Sequence, residues 1–409
     1  RMSTGSKGIA RPTIEIENTG ERHTIDGVEL EFVYVLDTEA PVEIMVWIPQ
    51  LKAFCTAEDM THNMHNLQTL RGAKVRNGLL WSKAVDTAIE RYGNQVEVSF
   101  STHHWPTWGN ERIVDYWEAQ RDMYRYLHDQ TLHLANRGLT PDEIAEEMKL
   151  PASLSSQFNC RGYYGTLSHN VKAQYDLYFG WFNGNPAHLN PLPPSELGAK
   201  YVEAIGGADK VLEVAKASYA KGEYRWVATL LDNLVFAEPE NKEARQLLAD
   251  TYTQLGYQAE SGPWRNFYLT GARDLFKKDV PYTSQLINDG VLAQMDMGTL
   301  LDYCAIQLNG EKAAGKKAVI NINFTDTKEK VMLMLNNGVL NHRLDSQYEK
   351  ADLTLEIEKM NFVKLFFGRT DLQTLLKTDK VKTTGNTQAM DVICSAYEPA
   401  DPNFKIVLP

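Results

Sequence analysis

Long apolar runs are absent: nothing in the 409 residues approaches the ~20 consecutive apolar residues that a membrane helix needs. Cysteine is sparse. Cys55, Cys160, Cys304 and Cys394 are scattered, with no CxxC pair, which excludes a zinc-finger spacing and a dense disulfide framework; four buried thiols are expected instead. Positive charge is in deficit, with 42 Lys and Arg against 53 Asp and Glu and a formal net charge of −11. That balance argues against nucleic acid or any other polyanion as a partner. Low-complexity segments are missing too. So is the basic and apolar leader of a signal peptide; the chain starts Arg1-Met2-Ser3, as expected of a piece trimmed or cleaved from a longer protein.

What is present is the composition of an ordinary globular protein that is not embedded in a membrane, with length for roughly two to four domains. The first ~110 residues alternate with period two at 13–17 and 28–36, with Asp26-Gly27 ahead of the second run as a hairpin signal. A further strand is expected at 42–48, stopped by Pro49, then a helix at 78–92 and a strand at 95–101. This implies an α/β layer. From Glu111 to about Tyr257 the signals are helical. Thr140-Pro141-Asp142-Glu143 reads as an N-cap with proline at the first helical position. Residues 218–256 resemble one tetratricopeptide-like unit, which alone cannot bury its apolar face and so calls for another helix pair, from this chain or a second subunit. From Pro281 onward a helix at Thr299–Gln307, strands at 318–324, 330–335 and 352–357, an apolar helix at 362–367 and a last helix at 390–397 read as α+β.

Chemistry concentrates in the first 110 residues. Glu39 ends a strand and Glu58 stands in Ala57-Glu58-Asp59; His62, His65, Asn66, Arg71 and Arg76 follow, and then His103-His104-Trp105-Pro106. Taken singly, a turn carboxylate is usually solvated or capping, and a His pair is more often structural than metal-bound. Four of the ten histidines nevertheless fall between positions 62 and 104 beside Asn and Arg. Carboxylates and imidazoles at strand ends suit zinc, and Arg with Asn suits an oxyanion such as sulfate. The residues alone support a metal or oxyanion site and no more.

Thr38-Glu39-Ala40-Pro41, Ala57-Glu58, His65-Asn66-Leu67, Leu70-Arg71-Gly72 and His103-His104-Trp105-Pro106-Thr107-Trp108-Gly109 together resemble the second half of the catalytic domain of bacterial zinc-dependent alkylsulfatases, of the metallo-β-lactamase superfamily. The resemblance continues through Arg161-Gly162-Tyr163-Tyr164-Gly165, Leu167-Ser168-His169-Asn170, Gly180-Trp181-Phe182-Asn183 and Gly262-Pro263-Trp264-Arg265. It implies α/β, then all-α, then α+β: residues 1–125 as the second half of an αββα metallo-β-lactamase domain, 126–270 as a helical dimerisation domain, and 271–409 as a sterol-carrier-protein-like domain with an apolar groove for an aliphatic tail. It also implies hydrolysis of alkyl sulfate esters such as dodecyl sulfate at two zinc ions, with Glu39, Glu58 and His103 (preferred to His104) as metal ligands. Asn66, Arg71 and Arg76 would contact sulfate, and His65 would protonate the leaving alkoxide or hold Asn66. The expected partners are a second copy of the chain and an aliphatic sulfate ester, in a periplasmic or secreted setting. One departure is large: the family's His-x-His-x-Asp-His motif does not occur here. Three ligands cannot complete two zinc sites, so an N-terminal half, as a separate chain or a cleaved fragment, is expected to supply the rest. The alternatives are a non-catalytic lipid-binding dimer scaffold and a truncated, inactive fragment.

Overall fold

The computed structural model describes residues 12–276, 288–401 and 403–409. Among the described residues the contacts define two compact units, one made of 14–276 with the tail 405–409, the other of 288–401 with 403 and 404.

The first unit opens on a six-stranded sheet in sequence order: β1 (Arg22–Ile25), β2 (Val28–Leu36), β3 (Val42–Ile48), β4 (Ala53–Cys55), β5 (Val98–Phe100) and β6 (Thr107–Trp108). The stretch 13–17, expected as a strand, is irregular; its alternation has no partner to pair with among the described residues. The hairpin partner of β2 is instead 22–25, joined through Asp26 and Gly27, both at positive φ (49° and 82°), as a type I′ turn requires. β4 and β5 are parallel, and the crossover between them carries α1 (Gly78–Tyr92), capped by Asn77. Trp47 stacks on Tyr92 at 5.2 Å and Phe54 meets Trp117 at 5.1 Å, so α1 and α2 (Asn110–Ala135) cover one face of the sheet. On that face Glu31, only 4% exposed, accepts from Arg22 at 2.6 Å, Arg91 at 2.7 Å and the Tyr92 hydroxyl at 2.8 Å. Burial raises its pKa, but the three donors outweigh that and leave it below the usual range. A depressed folded-state pKa contributes stability above the unfolded value that is lost as pH falls through the folded one. Glu31→Ala is therefore expected to cost about 2 kcal/mol near neutral pH. Urea titrations should show the gap between wild type and variant closing below pH ~4; a gap independent of pH would contradict this.

Helices follow: α3 (Pro141–Glu147), α4 (Ala152–Ser155), α5 (Leu167–Phe179), α6 (Pro194–Ile205), α7 (Ala208–Ala220), α8 (Tyr224–Ala237), α9 (Lys242–Gln258) and α10 (Gly262–Asp274). Thr140 and Glu143 close a full capping box on α3. The tetratricopeptide-like stretch is the α8–α9 hairpin with the end of α7. Its apolar face is covered within the chain: α6 packs on α8 and α10 on α9. Gly198 permits the first contact, since a Cβ there would lie 2.4 Å from the Asn233 carbonyl. A second subunit is thus not needed to bury this core. α2 runs through position 125, where a domain boundary is expected from sequence, and one apolar cluster joins the sheet to α2, α3 and α5.

The second unit contains α11 (Asp289–Gln294), α12 (Met297–Ile306), α13 (Gly310–Ala313), β7 (Ala318–Phe324), β8 (Lys330–Asn336), β9 (Val339–Leu344), β10 (Leu353–Ile357), α14 (Lys359–Phe366), α15 (Leu372–Lys377), β11 (Val381–Gly385) and α16 (Gln388–Cys394). The sheet order is β11-β10-β7-β8-β9, with only β10 and β7 parallel. This is the α+β meander read from sequence. The apolar helix starts earlier, at Lys359, and Phe362, Val363, Leu365 and Phe366 are buried with Met390 among the inward residues of the sheet. These side chains fill a core; they do not line an open groove. No helix among the described residues is long and apolar enough to cross a membrane.

Candidate metal centre

Three connections at one end of the first sheet bring the acidic residues and histidines together. Glu39 sits in the turn between β2 and β3. Glu58 follows β4, on a turn where Ala57 takes a positive φ of 49° and the Glu58 N–H donates to Glu43 Oε1 at 3.0 Å. His103 follows β5, after Thr102, whose N–H donates to the Ala57 carbonyl at 3.0 Å. The long connection from Thr56 to Asn77 supplies His65, Asn66 and Arg76.

That connection has no regular structure, so its shape depends on anchors. Met60, Met64 and Leu67 are buried in the core below it. Helices α2 and α5 add buried polar clamps. Asn170 donates to the His65 carbonyl at 2.9 Å and accepts from the Leu67 N–H at 2.8 Å. Gln174 donates to the Arg76 carbonyl at 2.9 Å and accepts from Gly78 at 3.0 Å. The Tyr124 hydroxyl accepts from the His65 N–H at 3.1 Å, and Gln120 donates to the Asn63 carbonyl at 3.3 Å. Apart from Gly78, the first residue of α1, each is a backbone group of an irregular segment satisfied by a side chain from a helix. Sequence reading did not single out these four clamps as functional; their only trace is polar residues at positions of the helices that turn out to be fully buried.

Glu39, Glu58 and His65 each offer a ligand atom, all within 4.8 Å of one another. His103 Nε2 lies 2.7 Å from Glu58 Oε1, and His65 Nε2 3.7 Å from Glu58 Oε2. His65 Nδ1 lies 3.0 Å from the Asn66 carbonyl and 3.4 Å from the Arg76 guanidinium, and Nε2 faces the cluster. Burial, with Arg76 nearby, pushes the His65 pKa down to about 4, opposed by the Asn66 carbonyl; the ring is neutral. His104 is engaged elsewhere: Nδ1 accepts from the His62 N–H at 3.2 Å, and Nε2 lies 3.3 Å from the Asn63 amide. Asn66 and Arg76 come together, with Arg76 donating to Asn66 Oδ1 at 2.5 Å and to the Glu39 carbonyl at 2.6 Å and pairing with the Glu39 carboxylate. Arg71 is not brought in. It is exposed next to Gly72 and makes no hydrogen bond or ion pair among the described residues.

The electrostatics favour a cation. Glu39, Glu43, Glu58 and Asp59 crowd one end of the sheet with Arg76 as the paired cation. Burial raises Glu39, Arg76 opposes that and Glu58 adds to it. Burial pushes Glu43 up to about 7, relieved by the Glu58 N–H and reinforced by Glu39 and Glu58. Asp59 is fully buried and held well above its usual range by desolvation and by Glu43. Thr38 and Glu43 lie against it, yet neither Asp59 oxygen makes a hydrogen bond of good geometry. Oxygen and imidazole donors, an excess of carboxylate and unsatisfied buried oxygens behind them fit a divalent zinc site. Thr61, Asn63, His65, His103, His104 and Tyr164 line a cavity of about 340 Å³ beside the cluster.

Known proteins agree with this region and the rest of the chain. Residues 140–278 match the family described as "Alkyl sulfatase dimerisation" and residues 285–409 that described as "Alkyl sulfatase C-terminal". A "Linear primary-alkylsulfatase" of Pseudomonas sp. is 45% identical over 409 residues, all of this chain and 60% of that protein. The solved structure of the stereoselective inverting sec-alkylsulfatase Pisa1 from Pseudomonas sp. superposes with a TM-score of 0.95 at 41% identity, over 98% of this chain and 63% of that one. The chain thus spans about three fifths of the length of these relatives. A further linear primary-alkylsulfatase, from another Pseudomonas strain, is 32% identical over 92% of this chain and 73% of its own length. This chain belongs to the alkylsulfatase family.

Proposed function

We propose that the chain carries one side of the active site of an alkyl sulfate ester hydrolase, completed by a preceding segment of the kind that its longer relatives have room for. The observation that carries this reading is the convergence of Glu39, Glu58, His103 and His65 beside Asn66 and Arg76 in a member of this family. Glu39, Glu58 and His103 would hold the zinc, two ions in the complete site, and the preceding segment would supply the remaining ligands. Zinc, when bound, supplies Lewis acidity that makes water a nucleophile near neutral pH. Arg76 and Asn66 would hold the sulfate; with Glu39 drawn to the metal, the Arg76 fork is released for an oxyanion of matching geometry. Arg71 would join them only by movement of its exposed loop. His65 turns Nε2 toward Glu58, where it would exchange a proton with the leaving alkoxide or hold Asn66 in place.

A second feature supports the missing segment. Leu36, Val42 and Ile44 lie on the sheet face turned away from α1, with Leu36 paired to Val42, and are 49%, 52% and 36% exposed. Adjacent exposed apolar side chains on a sheet call for a cover; in a metallo-β-lactamase arrangement that cover is the other half of the domain. We place homodimer formation in the helical region, where Trp226 and Tyr257 stand 50% and 68% exposed.

Co-expression of the chain with the preceding segment is the direct test. The assembled protein is expected to bind zinc and release sulfate from dodecyl sulfate, and the chain alone to hold less zinc and release none. An assembly that carries no zinc, or binds the ester without cleaving it, would point to the scaffold reading instead.

A further inference from the structure

A row of aromatic rings leaves the rim of the candidate site and crosses the surface. His104 lines the cavity beside the carboxylates. Its ring lies 5.9 Å from Trp105, Trp105 lies 6.0 Å from Phe158, and Phe158 lies 5.4 Å from Tyr163. The next residue, Tyr164, returns to the cavity and packs on His65 at 4.8 Å. The row therefore begins and ends at the site.

Its outer members are well exposed: Trp105 56%, Phe158 53% and Tyr163 37%. They are also held in place. Trp105 meets His62 at 4.9 Å, and His62 in turn packs on Tyr116. The Arg161 guanidinium lies over Tyr163 at 5.6 Å and is paired with Glu260 at 2.7 Å. Three fixed aromatic rings open to water form a preorganised apolar surface. The side chains expected from sequence to bind an aliphatic tail, those of α14, are spent on a core.

We propose that Trp105, Phe158 and Tyr163 are the platform on which the apolar tail of the sulfate ester lies, and that they set the preference for chain length. The inference rests on the proposed hydrolase reading. An alkyl sulfate has one charged end and one apolar end. With the head among His65, His103 and Arg76, the tail has to leave the cavity over something, and the aromatic row is continuous with the cavity's own lining. It is long enough, at three ring-to-ring steps, to follow a medium-length chain. Flat rings on an open surface discriminate weakly between tail shapes and strongly between tail lengths, because each added methylene covers more ring.

The test uses the assembled protein and linear alkyl sulfates of increasing carbon number. In the wild type, kcat/KM should rise by about twofold per added methylene, below the roughly fourfold of full burial because one side of the tail stays wet. Trp105→Ala and Phe158→Ala should each flatten that slope, and Trp105→Phe should restore most of it. Competitive inhibition by linear alkane sulfonates reads the same slope without turnover and should flatten in parallel. A wild type that cleaves no alkyl sulfate of any length sinks the hydrolase reading itself. A wild type that cleaves them, with slopes unchanged in both alanine variants, overturns the platform alone. So does a result in which Trp105→Ala changes subunit or segment dissociation but not the slope, since the row is then a protein interface.

Discussion

Glu58→Ala is expected to lower sulfate ester hydrolysis by the assembled protein at least about a thousandfold, and to remove most bound zinc, while the fold survives. Glu58 is the point where the other groups meet: His103 is 2.7 Å from one of its oxygens and His65 3.7 Å from the other. Losing a group that places a metal or meets developing charge typically costs ~3–4 kcal/mol in a preorganised site, or two to three powers of ten; loss of the metal removes the nucleophile as well. The fold has less at stake. The Glu58 side chain is 26% exposed, and its carboxylate faces Glu39 and Glu43 across a crowded site. Removing one negative charge relieves repulsion in the metal-free protein, so that form should melt no lower than the wild type. The wild type should gain stability from zinc by mass action, and the variant should not. Melting with and without a chelator, beside metal analysis, reads both halves. A variant that keeps wild-type zinc and turnover removes Glu58 from the site.

Much of the fold was legible in the sequence where one segment states its own pattern. β2, β3, α1 and β7 carry their periodicity within themselves, and the structure places them at the residues expected. The alternation at 13–17 was equally clear, but alternation describes a strand that has a partner, and that one has none among the described residues. β4 and β6 span three and two residues, too few for a period to show, and β5 is shorter than the run expected at 95–101 but lies within it. The site divides in the same way. The donors could be named from strand-end position and family resemblance. Their clamps could not: Asn170 and Gln174 act on backbone groups 96 to 105 residues earlier, and nothing local in α5 marks those amides as more than helix residues. The fate of α14 was illegible for a related reason. An apolar helix reads the same from sequence whether it fills a core or lines a groove.

Gly165→Ala is the second large effect to expect, and it acts without touching a ligand. A Cβ at Gly165 would stand 2.6 Å from the His65 carbonyl oxygen, 2.7 Å from its carbon and 2.8 Å from the Asn66 nitrogen. These are backbone atoms, and they cannot swing aside as a side-chain tip can. The segment is also fastened on both sides of the clash. Gly165 N–H donates to the Met64 carbonyl at 2.8 Å, and Asn170 grips the His65 carbonyl and the Leu67 N–H. Accommodating one methyl group therefore shifts His65 and Asn66 together or breaks those bonds. Overpacking of this kind costs about 1–3 kcal/mol in stability. A displacement of a positioning group near 1 Å costs about a hundredfold in turnover. Zinc should remain close to the wild-type level, because Glu39 and His103 lie on other connections and Glu58 precedes the buried anchors Met60 and Met64 on this one; that separates this variant from Glu58→Ala. Gly162→Ala is the control, since its Cβ would meet the Gly165 carbonyl at 3.3 Å and Thr166 atoms at 3.6 Å or more, contacts that small adjustments relieve. If Gly165→Ala folds and turns over like Gly162→Ala, the approach of this strip of backbone to the His65–Asn66 segment does not govern the site.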